Sequence, residues 1–453
     1  MFMTIMDSTI VNVILPTLAR QFRVPVSAVG AVVVGYLLSL AVFIPASGWI
    51  GDRVGLRRAF LAALAVFTGA SALCGLSGNL VTLVGFRFLQ GVGGGMLTPI
   101  GMAMLYQTFP PYERIRASRI LTIPTIVAPA TGPVLGGLIV DRLSWHWVFY
   151  VNVPIGLGAM AFAGIFLRDT QRHESSRFDL AGFLLAGGGF ALLMYALSEG
   201  PGAGWGRPAV FVPAVVGVAA LAALGVHELR HTTPMLELRL LGRRLYRATS
   251  LVMMCSAASF LGSLYLAPLL LQNGLGLSAL VSGSSVFPEA LGVLAGAQIV
   301  SRVYGRVGPR RLITLGLLGV AAGIAPMTLI GDGTNPWVMR GLMFWVGLFN
   351  AHVFQPSQVA AFVAGGTSTT RISALFNTQR QLGAALGVAV LGTVLAAFGL
   401  SGHAAAPGAA HDLTPYHVAF LVAAVPALVG VLIALTIRDR DAASTMRPAG
   451  ETT

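Results

Sequence analysis

Residues 48–58 read Gly-Trp-Ile-Gly-Asp-Arg-Val-Gly-Leu-Arg-Arg and form a short charged turn between two long apolar runs. Its glycines allow a tight turn, because glycine has no Cβ to clash at unusual backbone angles. The pattern recurs at 305–311, where Gly-Arg-Val-Gly-Pro-Arg-Arg aligns with residues 52–58 at an offset of 253. One such turn can arise by chance, but two copies between apolar runs indicate a chain built from two homologous halves.

The composition is that of a membrane protein that crosses the bilayer many times. The 453 residues are 55% hydrophobic and 10% charged, with a mean hydropathy of +0.79, whereas a soluble domain has about 25% charged residues. All 29 basic residues are arginine, and the net charge is +13. That charge would suggest nucleic acid in a soluble protein. Here the arginines lie in short loops, where they set membrane topology, so we expect no nucleic-acid partner.

Fourteen apolar runs are long enough to cross a bilayer, since about 20 residues at about 1.5 Å each cover about 30 Å. They lie near 1–19, 27–49, 59–77, 79–106, 118–140, 147–167, 180–198, 209–229, 247–271, 280–303, 312–330, 336–360, 372–400 and 416–437. The repeat aligns the second run and its turn with the tenth, so the two runs within 180–229 are additional. The expected fold is all-α, with two pseudo-symmetric six-helix bundles and two extra linker helices.

The expected domain boundaries follow from this repeat. Residues 1–168 form the N-terminal bundle, 169–246 the extra helices with their connectors, and 247–437 the C-terminal bundle. Within the connector region, the arginine-rich segment 230–247 is expected to lie along the inner membrane surface as an amphipathic element. Residues 438–453 are short and polar, and we expect a disordered tail.

The distribution of arginines predicts the orientation in the membrane. If the chain starts in the cytoplasm, 22 of the arginines lie on the cytoplasmic side and four on the opposite side. Cytoplasmic loops collect positive charge, so both termini are expected in the cytoplasm of a bacterial-type inner membrane. The remaining three arginines, Arg87, Arg340 and Arg380, fall within apolar runs.

The charged turn resembles the loop between helices 2 and 3 of the major facilitator superfamily. The matching positions are Gly48, Asp52, Arg53, Gly55, Arg57 and Arg58. The resemblance implies that this turn gates a transporter. Asp52 is then expected to bond to the end of a neighbouring helix and to the arginines, and so to latch the outward-facing state.

Further motifs resemble the drug:proton antiporter-2 family, the fourteen-helix branch of that superfamily. Residues 7–16, Asp-Ser-Thr-Ile-Val-Asn-Val-Ile-Leu-Pro, are similar to its first-helix motif. Residues 87–95, Arg-Phe-Leu-Gln-Gly-Val-Gly-Gly-Gly, are similar to its buried-arginine motif. Residues 145–156 and 373–383 also fit, so the resemblance runs almost from end to end.

A glycine-rich motif in the run 118–140 is similar to the signature that marks exporters in this superfamily: Gly132, Pro133, Gly136 and Gly137. The glycines leave one helix face bare for a close neighbour, and the proline bends the helix. Packing against the partner bundle would seal one end of the cavity. A purely structural role is the alternative.

The chain departs from the family pattern in several places. Ile14 stands where alanine is usual, His146 where arginine is usual, and Gly305 where the first copy has Asp52, so the second turn lacks its acid. Few residues precede Asp7. Either the first helix is short or the true start lies upstream of Met1. The sequence favours the second explanation.

Asp7, Arg87 and Glu289 are the candidate proton-coupling residues, because an ionisable group at membrane depth costs about 2.5–3.5 kcal/mol. Asp7 and Arg87 lie about 18 Å and 12 Å from the outer ends of their runs, close enough to pair. Burial favours a neutral Asp7 and the arginine favours a charged one, so Asp7 is expected to carry the proton. A structural ion pair is the alternative.

Glu289 is the carboxylate that lies clearly within a run of the second half. It would bind a cationic substrate or take a second proton, or else face water near the outer surface. Arg380 matches a family position and is expected to stabilise a helix end.

The sequence predicts a secondary transporter, not an enzyme, without cofactor or metal. Cys74 and Cys255 fall in apolar runs and are expected to be core residues. Gly91–Gly95 lies within a helical run and not after a strand, so no ATP site is predicted. We expect a monomer in the lipid bilayer that uses the proton gradient to export lipophilic, cationic drugs or related small molecules. The alternatives are a dedicated exporter of one endogenous metabolite or antibiotic, and a non-transporting sensor, which is favoured if Asp7 is stranded.

Overall fold

The computed structural model describes residues 2–24, 29–118, 128, 132, 135, 136, 138–140, 142–167, 179–231, 236–363, 369–398 and 412–446. These residues form helices and contain no strand. The helices of the N-terminal half are α1 Phe2–Phe22, α2 Ala31–Val54, α3 Leu56–Gly75, α4 Leu80–Thr108, α5 His146–Tyr150 and α6 Asn152–Phe166. An inserted pair follows, α7 Leu180–Ala203 and α8 Pro208–Arg230.

The C-terminal half begins after a 3-10 turn at Leu238–Gly242. Its helices are α9 Arg244–Leu269, α10 Ala279–Val286, α11 Pro288–Val307, α12 Pro309–Ile324, α13 Pro336–Val363, α14 Thr369–Ala397 and α15 Thr414–Ala434. Short turns extend three of these elements: a π-helical turn at Leu270–Gly274 and 3-10 turns at Ala325–Leu329 and Asp439–Thr445. The all-α membrane fold predicted from the sequence is confirmed.

Eleven of the described helical segments are long and apolar enough to cross a membrane. Helices α1 and α13 have 21 and 28 residues but are not among those eleven. Most of the run 118–140 lies outside the described residues. The total of fourteen spans therefore stays a prediction.

The charged turn is shorter than the sequence suggests. Helix α2 continues to Val54, and α3 starts at Leu56, so Gly55 is the single break between them. Gly55 has φ of +92°, a left-handed conformation that glycine adopts without a Cβ penalty. Gly48 and Gly51, in contrast, are helical, so they serve packing and not the turn.

The second copy of the turn has the same geometry. Gly308, with φ of +82°, separates α11 from α12. This copy has Gly305 in place of the acid, and an acid of the C-terminal segment lies nearby: Asp439 Oδ1 accepts a hydrogen bond of 2.8 Å from the backbone N–H of Arg310.

Residues 438–446 of the C-terminal segment are folded, which corrects the expectation of disorder for this part of the tail. Asp439–Thr445 forms a 3-10 turn. The hydroxyls of Thr445 and Tyr304 lie 2.8 Å apart in the interior, and Ala442 is buried. These anchors explain why so short and polar a stretch folds.

The apolar core is divided between the halves and joined at one end. Two clusters lie within the N-terminal half and one within the C-terminal half. A fourth cluster combines residues of both halves, of the inserted pair and of the 3-10 turn that precedes α9. It lies at the arginine-rich end, which we define as the end holding residues 53–58, 306–311 and 371.

The inserted pair sits at the side of the molecule. Helix α7 packs against α2 and α14, and so touches both halves. Helix α8 packs mainly on α7 and presents Phe211, Val215 and Leu229 outward. Such an apolar outer face suits contact with lipid.

Candidate functional site

Asp7 and Arg87 form an ion pair inside the N-terminal half. Oδ2 of Asp7 accepts a hydrogen bond from Nη1 of Arg87, and both side chains are 0% exposed. The carboxylate lies on α1 and the guanidinium on α4. The pairing expected from their depths in the sequence is therefore present in the structure.

Two amides hold the other carboxylate oxygen of Asp7. Its Oδ1 accepts 3.0 Å hydrogen bonds from Nε2 of Gln90 and from Nδ2 of Asn152. Both amides also donate to the hydroxyl of Ser71, each at 3.1 Å. Asp7 thus accepts hydrogen bonds from three side chains, which hold its carboxylate in place.

The guanidinium of Arg87 is enclosed on its remaining sides. Its Nε donates to the carbonyl of Val32 at 3.2 Å, and its Nη1 also donates to Gln90 Oε1 at 2.7 Å. The ring of Tyr36 lies 4.2 Å from the guanidinium carbon, a distance suited to a cation–π contact. Arg87 Nη2 is buried without a hydrogen-bond partner among the described residues.

Sequence reasoning missed Gln90, Asn152, Ser71 and Tyr36 as members of this network. Gln90 follows Arg87 by one helical turn, so both side chains lie on one face of α4. That spacing is visible in the sequence. Asn152 and Ser71 lie on α6 and α3, and nothing in the sequence links them to Asp7.

A second charged site joins the two halves at the arginine-rich end. Oδ1 of Asp52 accepts a 2.5 Å hydrogen bond from Thr370 Oγ1, and Oδ2 accepts one of 3.0 Å from Arg371 Nε. Asp52 lies near the end of α2, whereas Thr370 and Arg371 start α14. The partner at the end of a neighbouring helix is thus present, but the arginine is Arg371.

The arginines of the 48–58 turn have other contacts. Arg57 Nη2 donates to the carbonyl of Gly164 at 2.5 Å, which ties α3 to α6. The guanidinium of Arg53 lies over the ring of Trp49, 5.4 Å from its centre. Arg58 is exposed at the start of α3.

The helical glycines of α2 allow α14 to come close. A methyl group at Gly48 would lie 3.2 Å from Cα of Arg371, and one at Gly51 would lie 2.5 Å from Cγ2 of Thr370. Both distances are shorter than ordinary carbon contacts of about 3.5–4.0 Å. Gly48 and Gly51 therefore set the approach that lets Asp52 reach its partners.

Additional hydrogen bonds between the halves lie at the same end. Ser373 Oγ donates to the carbonyl of Pro99 at 2.8 Å, and Gln107 Nε2 donates to Thr369 Oγ1 at 2.6 Å. The rings of Tyr106 and Phe362 stack with centres 4.0 Å apart. In the described part of the chain, the direct hydrogen bonds between α2 or α4 and the C-terminal half all fall here.

Glu289 lies in the first turn of α11, two residues after Phe287, which separates α10 from α11. It is about 12 Å from the start of its membrane segment at Val281. Its side chain is half-buried, and among the described residues it makes no hydrogen bond or ion pair. Its backbone carbonyl packs against Gly347 of α13. This is neither a fully exposed position nor a paired one.

Arg380 does not stabilise a helix end, because it lies well inside α14, which runs from Thr369 to Ala397. It follows Asn377 by one helical turn, on the same face. Asn377 contacts α4 through Sδ of Met102 at 3.2 Å. Arg380 Nε is buried and has no hydrogen-bond partner in the described part of the chain.

The exporter-like motif is only partly visible, since Pro133 and Gly137 lie outside the described residues. Gly132 and Gly136 are buried. Gly132 packs against Thr9 and Ile10 of α1, which is a contact within its own half. The expected packing of this motif against the partner half stays a prediction.

Two helical halves that are joined at one end, with eleven described segments able to cross a membrane, form a multi-pass membrane fold. The Major Facilitator Superfamily model matches residues 1–388. The chain therefore belongs to the major facilitator superfamily, as its motifs predicted, and is a membrane transporter and not an enzyme.

Relatives agree with this membership. The chain is 32% identical over 440 residues to "Putative multidrug resistance protein MdtD" of Pectobacterium carotovorum, covering 94% of this chain and 92% of the relative. It is 34% identical over 404 residues to the protein of the same name in Escherichia coli O45:K1, covering 88% and 84%.

The fold is similar to that of the human organic anion transporter MFSD10, with a TM-score of 0.66, 18% identity and coverage of 96% and 97%. It is also similar to the proton:xylose symporter XylE, with a TM-score of 0.65, 13% identity and coverage of 95% and 92%.

Proposed function

We propose that this protein exports lipophilic, cationic drugs or related small molecules in exchange for protons. The buried pair of Asp7 and Arg87 carries this proposal, because a sealed carboxylate in a transporter is a group that can take up and release a proton. Relatives named as multidrug resistance proteins, similar over most of the chain, support export of drugs.

The coupling step follows from the network around Asp7. As a carboxylate, Asp7 neutralises Arg87. Protonation removes that charge and leaves a buried guanidinium without a counter-charge; breaking a buried ion pair costs about 3–5 kcal/mol. The response with the lowest free-energy cost is a movement of α1 relative to α4 that lets Arg87 contact a new partner or water. Protonation of one side chain is thereby converted into a rearrangement of helices.

The alternating-access step involves the junction between the halves. The hydrogen bonds of Asp52 with Thr370 and Arg371 close the arginine-rich end. The excess of arginine at this end supports a cytoplasmic location. On that orientation the described arrangement is an outward-facing state, and both termini lie in the cytoplasm. The proposed form of the protein is a monomer in a bacterial-type inner membrane.

No resident cofactor is needed in this proposal, because the proton gradient supplies the energy. Exchange of one proton for one monovalent cation is electroneutral and yields about 1.4 kcal/mol per pH unit. A second proton, carried by Glu289, would add about 2.3 kcal/mol per 100 mV of membrane potential.

Arg380 favours a second candidate, a dedicated exporter of one metabolite or antibiotic that carries an acidic group. Its unpartnered Nε lies one turn beyond the junction between the halves. A guanidinium in such a place can bind a carboxylate through two parallel hydrogen bonds. The sensor alternative required a stranded Asp7, whereas Asp7 is paired with Arg87.

Efflux from intact cells tests these candidates. Cells expressing the protein are loaded with a lipophilic cationic dye and energised, and dye loss is followed with and without a protonophore. We expect loss that depends on the gradient. Little dye efflux from cells that do export an acidic metabolite, with Arg380→Gln abolishing that export, would support the second candidate. No transport of either kind would contradict both.

A further inference from the structure

The inserted pair carries a cluster of potential metal ligands that has no role in the proposed transport mechanism. Asp179, His227 and His231 each offer one donor atom, and these atoms lie within 4.8 Å of one another. Within the described residues, this is the one group of at least three histidine, cysteine or acidic side chains with donors so close. We propose that it is a binding site for a divalent transition-metal ion, with Zn²⁺ as the best match.

The positions of the ligands suit such an ion. His227 lies in the last turn of α8, and His231, four residues on, directly follows the helix. Their ring centres are 5.0 Å apart, and histidines four residues apart are a known pair of zinc ligands. Asp179 precedes α7, so the third ligand comes from the neighbouring helix.

The donor separation also fits. Nε2 of His227 lies 2.9 Å from both carboxylate oxygens of Asp179. Ligands of a tetrahedral Zn²⁺ with bonds of about 2.0–2.1 Å are about 3.3 Å apart. A small outward movement of His227 would admit the ion in place of this hydrogen bond. Two histidines, a carboxylate and one water would complete four ligands, and imidazole suits zinc, copper and nickel.

The carboxylate of Asp179 is already oriented to bind a metal ion. Oδ1 of Asp179 accepts a 2.8 Å hydrogen bond from the N–H of Gly182, as the N-cap of α7. Hydrogen bonds of this kind fix metal ligands in place. The side chain of Asp179 is 4% exposed and that of His227 is 27% exposed, so the site is sheltered but reachable by an ion.

A bound ion would tie the two inserted helices together at the arginine-rich end. Helix α8 packs mainly on α7, whereas α7 packs on both halves. The predicted effect is a higher melting temperature when metal is present, because an ion that binds the folded state stabilises it. Binding needs neutral imidazoles and an ionised carboxylate, but no transported substrate.

Cobalt titration of the purified full-length protein, without a histidine tag, tests the site. Four-coordinate Co²⁺ absorbs visible light much more strongly than the hexaaqua ion, so geometry is read directly. We expect one Co²⁺ per chain with strong bands, displaced by Zn²⁺. Asp179→Asn, His227→Gln and His231→Gln should each weaken binding at least about tenfold.

The controls separate loss of ligands from loss of fold. Asparagine is also a good N-cap, so Asp179→Asn should keep the metal-free melting temperature. His417→Gln removes an imidazole elsewhere, which hydrogen-bonds the carbonyl of Ile330 at 2.9 Å, and should bind Co²⁺ like the wild type. Only weak hexaaqua bands, or equal affinity in all variants, would overturn the proposal. Either result would leave proton-coupled export untouched.

Discussion

Asp52 and Arg371 lie 319 positions apart in the chain and form an ion pair of 3.0 Å between Oδ2 and Nε. Their side chains are 6% and 18% exposed. The pair links the end of α2 to the start of α14, and so joins the two halves at the arginine-rich end. A hydrogen bond to a charged group contributes about 1.5–3 kcal/mol, enough to shift the balance between two conformations of a transporter.

Asp52→Asn should slow transport and leave the amount of protein in the membrane unchanged. The amide keeps the size of the side chain but loses the charge that Arg371 neutralises. The measurement is gradient-driven dye efflux, normalised to membrane expression. Exchange of the charges, Asp52→Arg with Arg371→Asp, should recover part of the loss. Wild-type efflux in Asp52→Asn would rule out the latch.

Gly51→Ala should disturb the same junction by steric contact alone. The added methyl group would lie 2.5 Å from Cγ2 of Thr370, and Thr370 is held by its hydrogen bond to Asp52. Forcing an extra methyl group into a packed contact costs about 1–3 kcal/mol. The melting temperature in detergent and the rate of dye efflux should both fall below the wild-type values.

Gly69→Ala is the matched control for that change. Gly69 lies within α3, and a methyl group there would meet nothing within 4 Å. Replacing a helical glycine by alanine is neutral or stabilises by about 0.5–1 kcal/mol. If both variants behave alike, close packing at Gly51 is unimportant.

Glu289→Gln should weaken efflux of divalent cations more than efflux of monovalent ones, because a second positive charge loses its partner. The two substrate classes are compared in the same cells. Glu199→Gln, an exposed acid at the end of α7, serves as the control and should change neither. Equal loss for both classes would favour a structural or proton-transfer role for Glu289.

Asp439→Ala should lower stability by about 0.5–2 kcal/mol, the range for loss of a helix cap. Asp439 accepts from the N–H of Arg310, in the first turn of α12. Asp441→Ala, which removes only a 3.9 Å surface pair with Arg440, should change little. Thermal unfolding compares them, and equal melting temperatures would show that the C-terminal segment does not anchor α12.

The sequence predicted those parts of the fold and site that depend on local pattern. Hydrophobic runs predicted the helices, and the depth of Asp7 and Arg87 predicted their pairing. A turn within 48–58 was predicted as well, but its position at Gly55 and its single-residue length were not, because helix ends depend on neighbours. The partners of Asp52 are 318 and 319 positions away, and no local signal identifies them.

Other features escaped prediction for the same physical reason. Asp179 and His227 lie 48 positions apart on two helices, so their contact appears only when α7 and α8 pack. Asp439 hydrogen-bonds the start of α12 from a segment expected to be disordered. The spacing of small residues predicts a close contact between helices but does not identify the partner helix. For Gly132 that partner is α1.

The central claim is that Asp7 carries the exchanged proton, and substrate-induced proton release tests it most directly. Arginine stays protonated in proteins, so Arg87 cannot carry the proton itself. Purified protein in weakly buffered solution is mixed with a transported cation, and the released protons are counted with a pH indicator. Wild type and Asp332→Asn, an exposed loop acid, should release protons equally. Asp7→Asn should fold, reach the membrane and release none, whereas release equal to that of wild type would contradict the account.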